Sequence, residues 1–255
     1  MQILPNDFLS ANLLRIKKYG KWGFENKQGT VVIPCKWKYA YEFSDGLAYV
    51  EDFSNNHFYI DTRGNIVIKC IWPWSDSFVG GFARVRNENM EYGFMDKTGS
   101  IVVPCQYMFV HRFNSKVALV QDKKGKKGFI NDLGKVVIPC IWNSASDFSE
   151  GLARVENKNS RWGYIDITGE VVIPCEWSDA LDFSEGLAGV RDLHIPFTSA
   201  PKWGFIDMRG VLAIPYTWDF VDSFKNGMAT VKDHKGNFLI IDKEGNVLSN
   251  KRIEL

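Results

Sequence analysis

The sequence has almost no net charge, no long apolar run, few histidines and an odd number of cysteines, and each shortage closes off a class of function. Its 31 Lys and Arg stand against 30 Asp and Glu, a formal charge of +1. A phosphate-binding surface shows itself as a basic face or stripe, so nucleic acid is not an expected partner. The run Lys123-Lys124-Gly125-Lys126-Lys127 is the one local basic cluster, and it reads as a solvated turn. From Met1 to Lys21 every short window holds polar or charged residues, and no stretch approaches the ~18 apolar residues of a membrane span. A cytoplasmic protein without a membrane partner is the expectation.

The four histidines, His57, His111, His194 and His234, fall at unrelated places. No Gly-x-Ser-x-Gly elbow, phosphate loop, Gly-x-Gly-x-x-Gly or His-Glu-x-x-His is present. The expected protein is therefore not an enzyme and carries no cofactor and no metal. A hydrolase using paired carboxylates is the remote alternative, since spacing alone cannot select a pair from 30 acids.

What is present is a period. Cys35, Cys70, Cys105, Cys140 and Cys175 stand 35 residues apart, which an internal repeat produces and a disulfide framework does not require. Equivalent positions of neighbouring repeats lie too far apart for the ~4.4–6.8 Å Cα separation of a disulfide, so the thiols read as small buried hydrophobes of a reducing compartment. Other landmarks share the phase. Trp22-Gly23-Phe24, Tyr92-Gly93-Phe94, Trp162-Gly163-Tyr164 and Trp203-Gly204-Phe205 recur, with degenerate copies at His57, Lys127 and Phe238. Each is followed by Asn or Asp and then Gly, from Asn26/Gly29 to Asp242/Gly245. A side-chain acceptor that bonds the backbone two residues on, then Gly at φ > 0, predicts a hairpin turn with a bulge. The repeated Asp is thus turn chemistry.

After each turn runs a β-branched stretch such as Val171-Val172-Ile173-Pro174-Cys175-Glu176-Trp177, and then a segment such as Phe183-Ser184-Glu185-Gly186-Leu187-Ala188-Gly189-Val190. The first reads as a strand with Pro near its end or at an irregularity, the second as a turn into a short strand. Each unit has three strands, or four if the stretch before the Phe also pairs.

These motifs resemble the WG-repeat family, a bacterial repeat named for its Trp-Gly pair, with Trp162 to Val190 matching the family run almost throughout. The resemblance implies repetition and interaction roles, and brings no catalytic residues with it. His57 and Lys127 depart from the pair, and Cys stands where many copies carry another residue.

Seven hairpins and seven third strands can be counted, the first third strand resting on the weak match from Phe8 to Ile16. On that phase the chain starts with an orphan strand and ends with an orphan hairpin, which would complete one unit and leave only protected edges. The fold class expected is an all-β repeat protein of seven ~35-residue units, a closed seven-bladed propeller-like disc, with an open β-solenoid as the alternative. Residues 1–255 form a single repeat domain on this reading, since no linker divides them.

Function in repeat proteins shows where copies share structure but vary in side chain. The x of Leu-Ala-x-Val is occupied by Tyr49, Arg84, Leu119, Arg154, Gly189 and Thr230, a tolerance that predicts exposure. A longer connection spans Arg191 to Pro201 and carries His194, Ile195 and Phe197 outside any repeat slot, on what is often the binding face of such arrays. The functional expectation is a noncatalytic, monomeric scaffold that binds a protein or peptide through Tyr49, Arg84, Arg154 and the loop with His194, Ile195 and Phe197. The alternative is a carbohydrate-binding module whose spare rings, Trp74 and Tyr41, stack on sugars.

Overall fold

The computed structural model describes residues 13–114, 116–192 and 202–250. Across these residues the chain is all-β, with seven small antiparallel sheets in sequence order and no helix among the described residues. It divides into two compact units, residues 1–123 with 130–135, and residues 124–129 with 136–255. His194, Ile195 and Phe197 lie outside the described residues.

From the second sheet on the repeat unit has four strands, because the stretch before the Phe also pairs. In the first compact unit, the second sheet orders Tyr39–Ala40, Ala48–Glu51, His57–Ile60 and Ile66–Cys70 side by side. The added strand is two residues long, pairing Tyr39 with Glu51 and Ala40 with Val50. Ala40 is buried beside Val50 and Ile60, a slot that a small side chain fills. The third sheet repeats the order with Trp74–Ser75, Phe82–Arg86, Tyr92–Asp96 and Ile101–Tyr107. In the other unit, the sheet of Ser144–Ala145, Ala153–Glu156, Trp162–Ile165 and Val171–Trp177 does the same.

The expected phase is also corrected. Leu13–Lys18 pairs with the hairpin that follows it, Lys21–Asn26 and Val31–Trp37, in register from Leu13↔Asn26 to Lys18↔Lys21. The last hairpin, Phe238–Ile241 and Val247–Asn250, pairs with Ala229–Lys232 before it. Neither end is an orphan. The reason is local: a tight turn joins each third strand to the hairpin after it, with Asn55, Met90 and Ser160 all at φ near +60°, whereas the path to the next third strand is longer and holds the next sheet's short strand.

The hairpin turns close as their sequence predicts. Asp61 Oδ1 accepts from the backbone N–H of Arg63 at 2.9 Å and of Asn65 at 2.8 Å, while Gly64 takes φ +85°. Gly64 has a second task, because a Cβ there would stand 3.1 Å from Ile33 of the preceding sheet. Gly99 meets Ile68, and in the other unit Gly169 meets Ile138 and Gly210 meets Ile173, in the same way.

The Gly of Trp-Gly is required for space. Opposite Gly163 the strand Val171–Trp177 bulges, since Trp162 faces Trp177 and Tyr164 faces Ile173, so two residues on one side span four on the other. The bulge presses backbone against the glycine: a Cβ at 163 would lie 2.6 Å from Ile173 O and 2.7 Å from Cys175 N. Gly23, Gly93, Gly128 and Gly204 face Pro-containing segments at similar distances. The second sheet has Phe58 in place of the glycine and Lys69 in place of the proline, and there the ladder runs straight, Phe58↔Lys69 and His57↔Cys70. The seventh sheet, with Leu239 facing Asn250, is straight at this point as well.

Consecutive sheets are tied through the Phe-Ser-Glu-Gly turns. Ser44 Oγ donates to Phe78 O at 2.6 Å, and Ser149 Oγ to Phe183 O at 2.8 Å. Glu150 sits at φ +53°, an uncommon conformation for a side chain this long, and its carboxylate accepts from Glu185 N at 2.7 Å and Gly186 N at 2.9 Å of the next sheet. Beneath the turns, paired rings form the core, among them Phe24 with Phe43, Tyr59 with Phe78 and Tyr164 with Phe183.

Candidate functional site

The x positions do not face solvent as expected. Leu119 and Gly189 are buried, and Tyr49, Arg84 and Arg154 are half-buried. The alternation of a strand says that x shares a face with its second neighbours, and that face turns out to lie against the next sheet. At Gly189 the approach is so close that a Cβ would be 2.8 Å from Val221.

Where x is Arg, the guanidinium bridges to the next short strand. Arg15 Nη1 donates to Ala40 O at 2.7 Å and Arg84 Nη1 to Val110 O at 3.2 Å, while Arg154 Nη1 donates to Ala180 O. Each guanidinium is also ion-paired. Arg15 pairs with Glu42 at 3.2 Å, Arg154 with Asp182 at 2.9 Å, and Arg84 with Asp76 at 2.8 Å. Asp76 also receives Arg112 at 2.9 Å.

The second sheet carries Tyr49 in this slot, and the joint it makes with the third sheet opens into a cavity of about 570 Å³. Its walls are built by strand periodicity. Tyr39 and Tyr41 flank the buried Ala40, and Tyr39 pairs with Glu51, which pairs with His57. Beside this row, Tyr41 N donates to Tyr49 O at 2.9 Å and Tyr49 pairs with Tyr59. The opposite wall comes from Pro73, Trp74, Ser75, Asp76 and Ser77 of the third sheet, with Arg112 at the rim.

The rings form a continuous row. Tyr41 and Tyr49 are 5.8 Å apart between centroids, and Tyr49 stacks on His57 at 5.5 Å with 11° between planes. Tyr39 and Tyr41 are each 55% exposed. Tyr59 is fully buried, its hydroxyl donating to Asp76 O at 2.6 Å and lying 2.9 Å from the Ser75 hydroxyl. Burial pushes the Tyr49 phenol up to about 12, which keeps it a hydrogen-bond donor at neutral pH. Both carboxylates on the walls are already engaged: Glu51 accepts from Lys38 Nζ at 2.5 Å, and Asp76 from Arg84 Nε and Arg112 Nε at 2.9 and 3.2 Å.

Of the sequence-predicted residues, Tyr49 lines this cavity, Arg84 reaches its wall through Asp76, and Arg154 belongs to the fifth sheet of the other unit. The two rings singled out for sugar stacking, Tyr41 and Trp74, meet here. Tyr39, Glu51, Asp76 and Arg112 were missed. The signal that would have found the place is that the second sheet breaks the repeat at several slots together, His57-Phe58 for Trp-Gly and Lys69 for Pro, with Tyr49 in its variable slot, and that the third sheet opens on Ser75 where other units carry Ala or Val.

The five cysteines are free, Cys70 buried and the others half-buried. Burial raises the thiols of Cys105 and Cys175, which makes them poor nucleophiles.

Comparison with known proteins places this geometry in a wider setting. A family model described as WG containing repeat matches residues 22–52, 58–90, 92–126, 128–160, 162–192 and 203–239. No curated protein is similar in sequence at a significant level. Among solved structures, a eukaryotic initiation factor is similar over 94% of this chain and 73% of its own, with 12% identity and a TM-score of 0.51. BamB from Moraxella catarrhalis is similar over 97% of this chain and 86% of its own, with 12% identity and a TM-score of 0.44. YCF48 bound to D1 peptide is similar over 82% and 79%, with 9% identity and a TM-score of 0.42. BamB and YCF48 are β-propellers, and these likenesses concern the fold alone.

Proposed function

The chain belongs to the WG containing repeat family, and from that premise we propose that it is a noncatalytic binding scaffold that holds a segment of a protein or peptide partner in the aromatic cavity of its second and third sheets. The observation that carries this reading is that Tyr49, His57 and Ser75, three of the places where the repeat varies, line one open, ring-lined cavity of about 570 Å³, within the ~300–1,000 Å³ common for ligand sites. A repeat array needs none of those departures to fold, because neighbouring units do without them. The wall carboxylates support binding over chemistry, since Lys38, Arg84 and Arg112 already neutralise them.

The test is selection from a random peptide library on the wild-type protein and on Tyr41→Ala, whose ring is largely exposed. Peptides enriched on the wild type alone support the proposal. Equal enrichment on both proteins, or none on either, refutes it. A carbohydrate-binding role is the second reading, favoured by the presence of Tyr41 and Trp74 in the same cavity, and a glycan array decides it.

A further inference from the structure

We infer that the cavity takes a proline-rich segment in the polyproline II conformation, an inference that rests on its role as a peptide-recognition site. The carboxylates on the walls are ion-paired, Glu51 through Oε1 with Lys38 and Asp76 with Arg84 and Arg112. Several donors remain uncommitted. The phenols of Tyr39 and Tyr41 and the indole N–H of Trp74 have no partner among the described residues, and Arg112 uses only Nε and one Nη on Asp76.

A ligand matched to this surface brings acceptors and few donors. Prolyl residues do that, because each carries a carbonyl and no backbone N–H. The polyproline II helix also leaves its carbonyls unbonded and loses little entropy on binding. A glycan brings a hydroxyl donor with each acceptor and would meet carboxylates already paired with Lys38, Arg84 and Arg112. A basic peptide would need an unpaired acid.

Geometry agrees with the chemistry. Residues i and i+3 of a polyproline II helix lie ~9 Å apart. The row from Tyr41 through Tyr49 to His57 advances in centroid steps of 5.8 and 5.5 Å, a length comparable to that repeat. Trp74 closes the other side.

Titration calorimetry of the whole protein with an oligoproline of about ten residues, a glycine-serine peptide of equal length and a panel of neutral oligosaccharides tests the inference. The expected result is binding of oligoproline alone, weakened about tenfold or more by Tyr41→Ala and by Trp74→Ala, with melting temperatures reporting that both variants fold. Oligoproline binding that both variants leave unchanged overturns the inference, and so does saccharide binding that they abolish. Selected peptides that lack proline yet require Tyr41 would leave the peptide-binding role standing and sink the proline-rich one.

Discussion

Replacing Gly163 by Ala isolates the contact on which the bulged sheets depend. The glycine has no positive φ, so conformational freedom is not the reason for it. The added Cβ would stand 2.6 Å from Ile173 O and 2.7 Å from both Cys175 N and Pro174 C. All three are backbone atoms of the facing strand, and none can rotate aside. Overpacking a tight site costs ~1–3 kcal/mol and occasionally more, and a backbone neighbour puts this case at about 3 kcal/mol. For a chain of this size, that lowers the melting temperature by about 6–12 °C. The control is Gly151→Ala, at φ +87° with nothing within 4 Å of a Cβ, which carries only the left-handed penalty of ~1–2 kcal/mol. Differential scanning fluorimetry ranks the two. A Gly163→Ala protein that melts within a degree of wild type, or above Gly151→Ala, refutes the steric account. The account also predicts a rescue: Gly163→Phe with Pro174→Lys, copying Phe58 and Lys69, should melt higher than Gly163→Phe alone.

Tyr59→Phe removes the hydroxyl that holds Ser75 and the Asp76 carbonyl, and should destabilise by about 1–3 kcal/mol in urea unfolding. Arg154→Met keeps the aliphatic stem but leaves the buried Ala180 carbonyl without its donor, and the expected loss in the same assay is about 1–3 kcal/mol. Acid should destabilise the protein through its turn carboxylates. The Thr168 hydroxyl, with the N–H groups of Glu170 and Thr168, holds the Asp166 carboxyl below its ordinary 3.8, and the Gly227 N–H, with the Asn226 N–H and Lys243, holds Glu185 below 4.5. Groups with depressed folded values contribute stability above their ordinary values and lose it as pH falls through the lower ones. The urea midpoint should therefore hold steady from neutrality to the ordinary carboxylate range and fall below it, and the fall should shrink in Asp166→Asn.

The hairpins were legible because their signals are local. Asp61, Gly64 and the β-branched run after them specify a turn and a strand within a few residues, and the structure has each. The cost of a side chain at Gly163 was not legible, since the atoms that forbid it lie on another strand, ten residues and more away. The two-residue strand Tyr39–Ala40 is too short to show a period. Alternation along Leu-Ala-x-Val identified which residues share a face but not whether water or the next sheet covers it, and so Arg84 and Arg154 were read as open when they bridge to Val110 and Ala180. Tyr41, Tyr49, His57 and Trp74 could each be noticed, but their meeting depends on register across four strands, and Arg112 joins them from the following sheet.

The glycine and the proline that face each other across a hairpin behave as one heritable character. Drift at either position alone strands the chain between two incompatible ladders, so a lineage must cross that gap by paired replacement or by importing an intact hairpin from a sibling copy. The second and seventh sheets lack both residues and run straight there, and the second also lines the aromatic cavity. Whole hairpins, exchanged as cassettes, are therefore the natural currency for re-engineering this array.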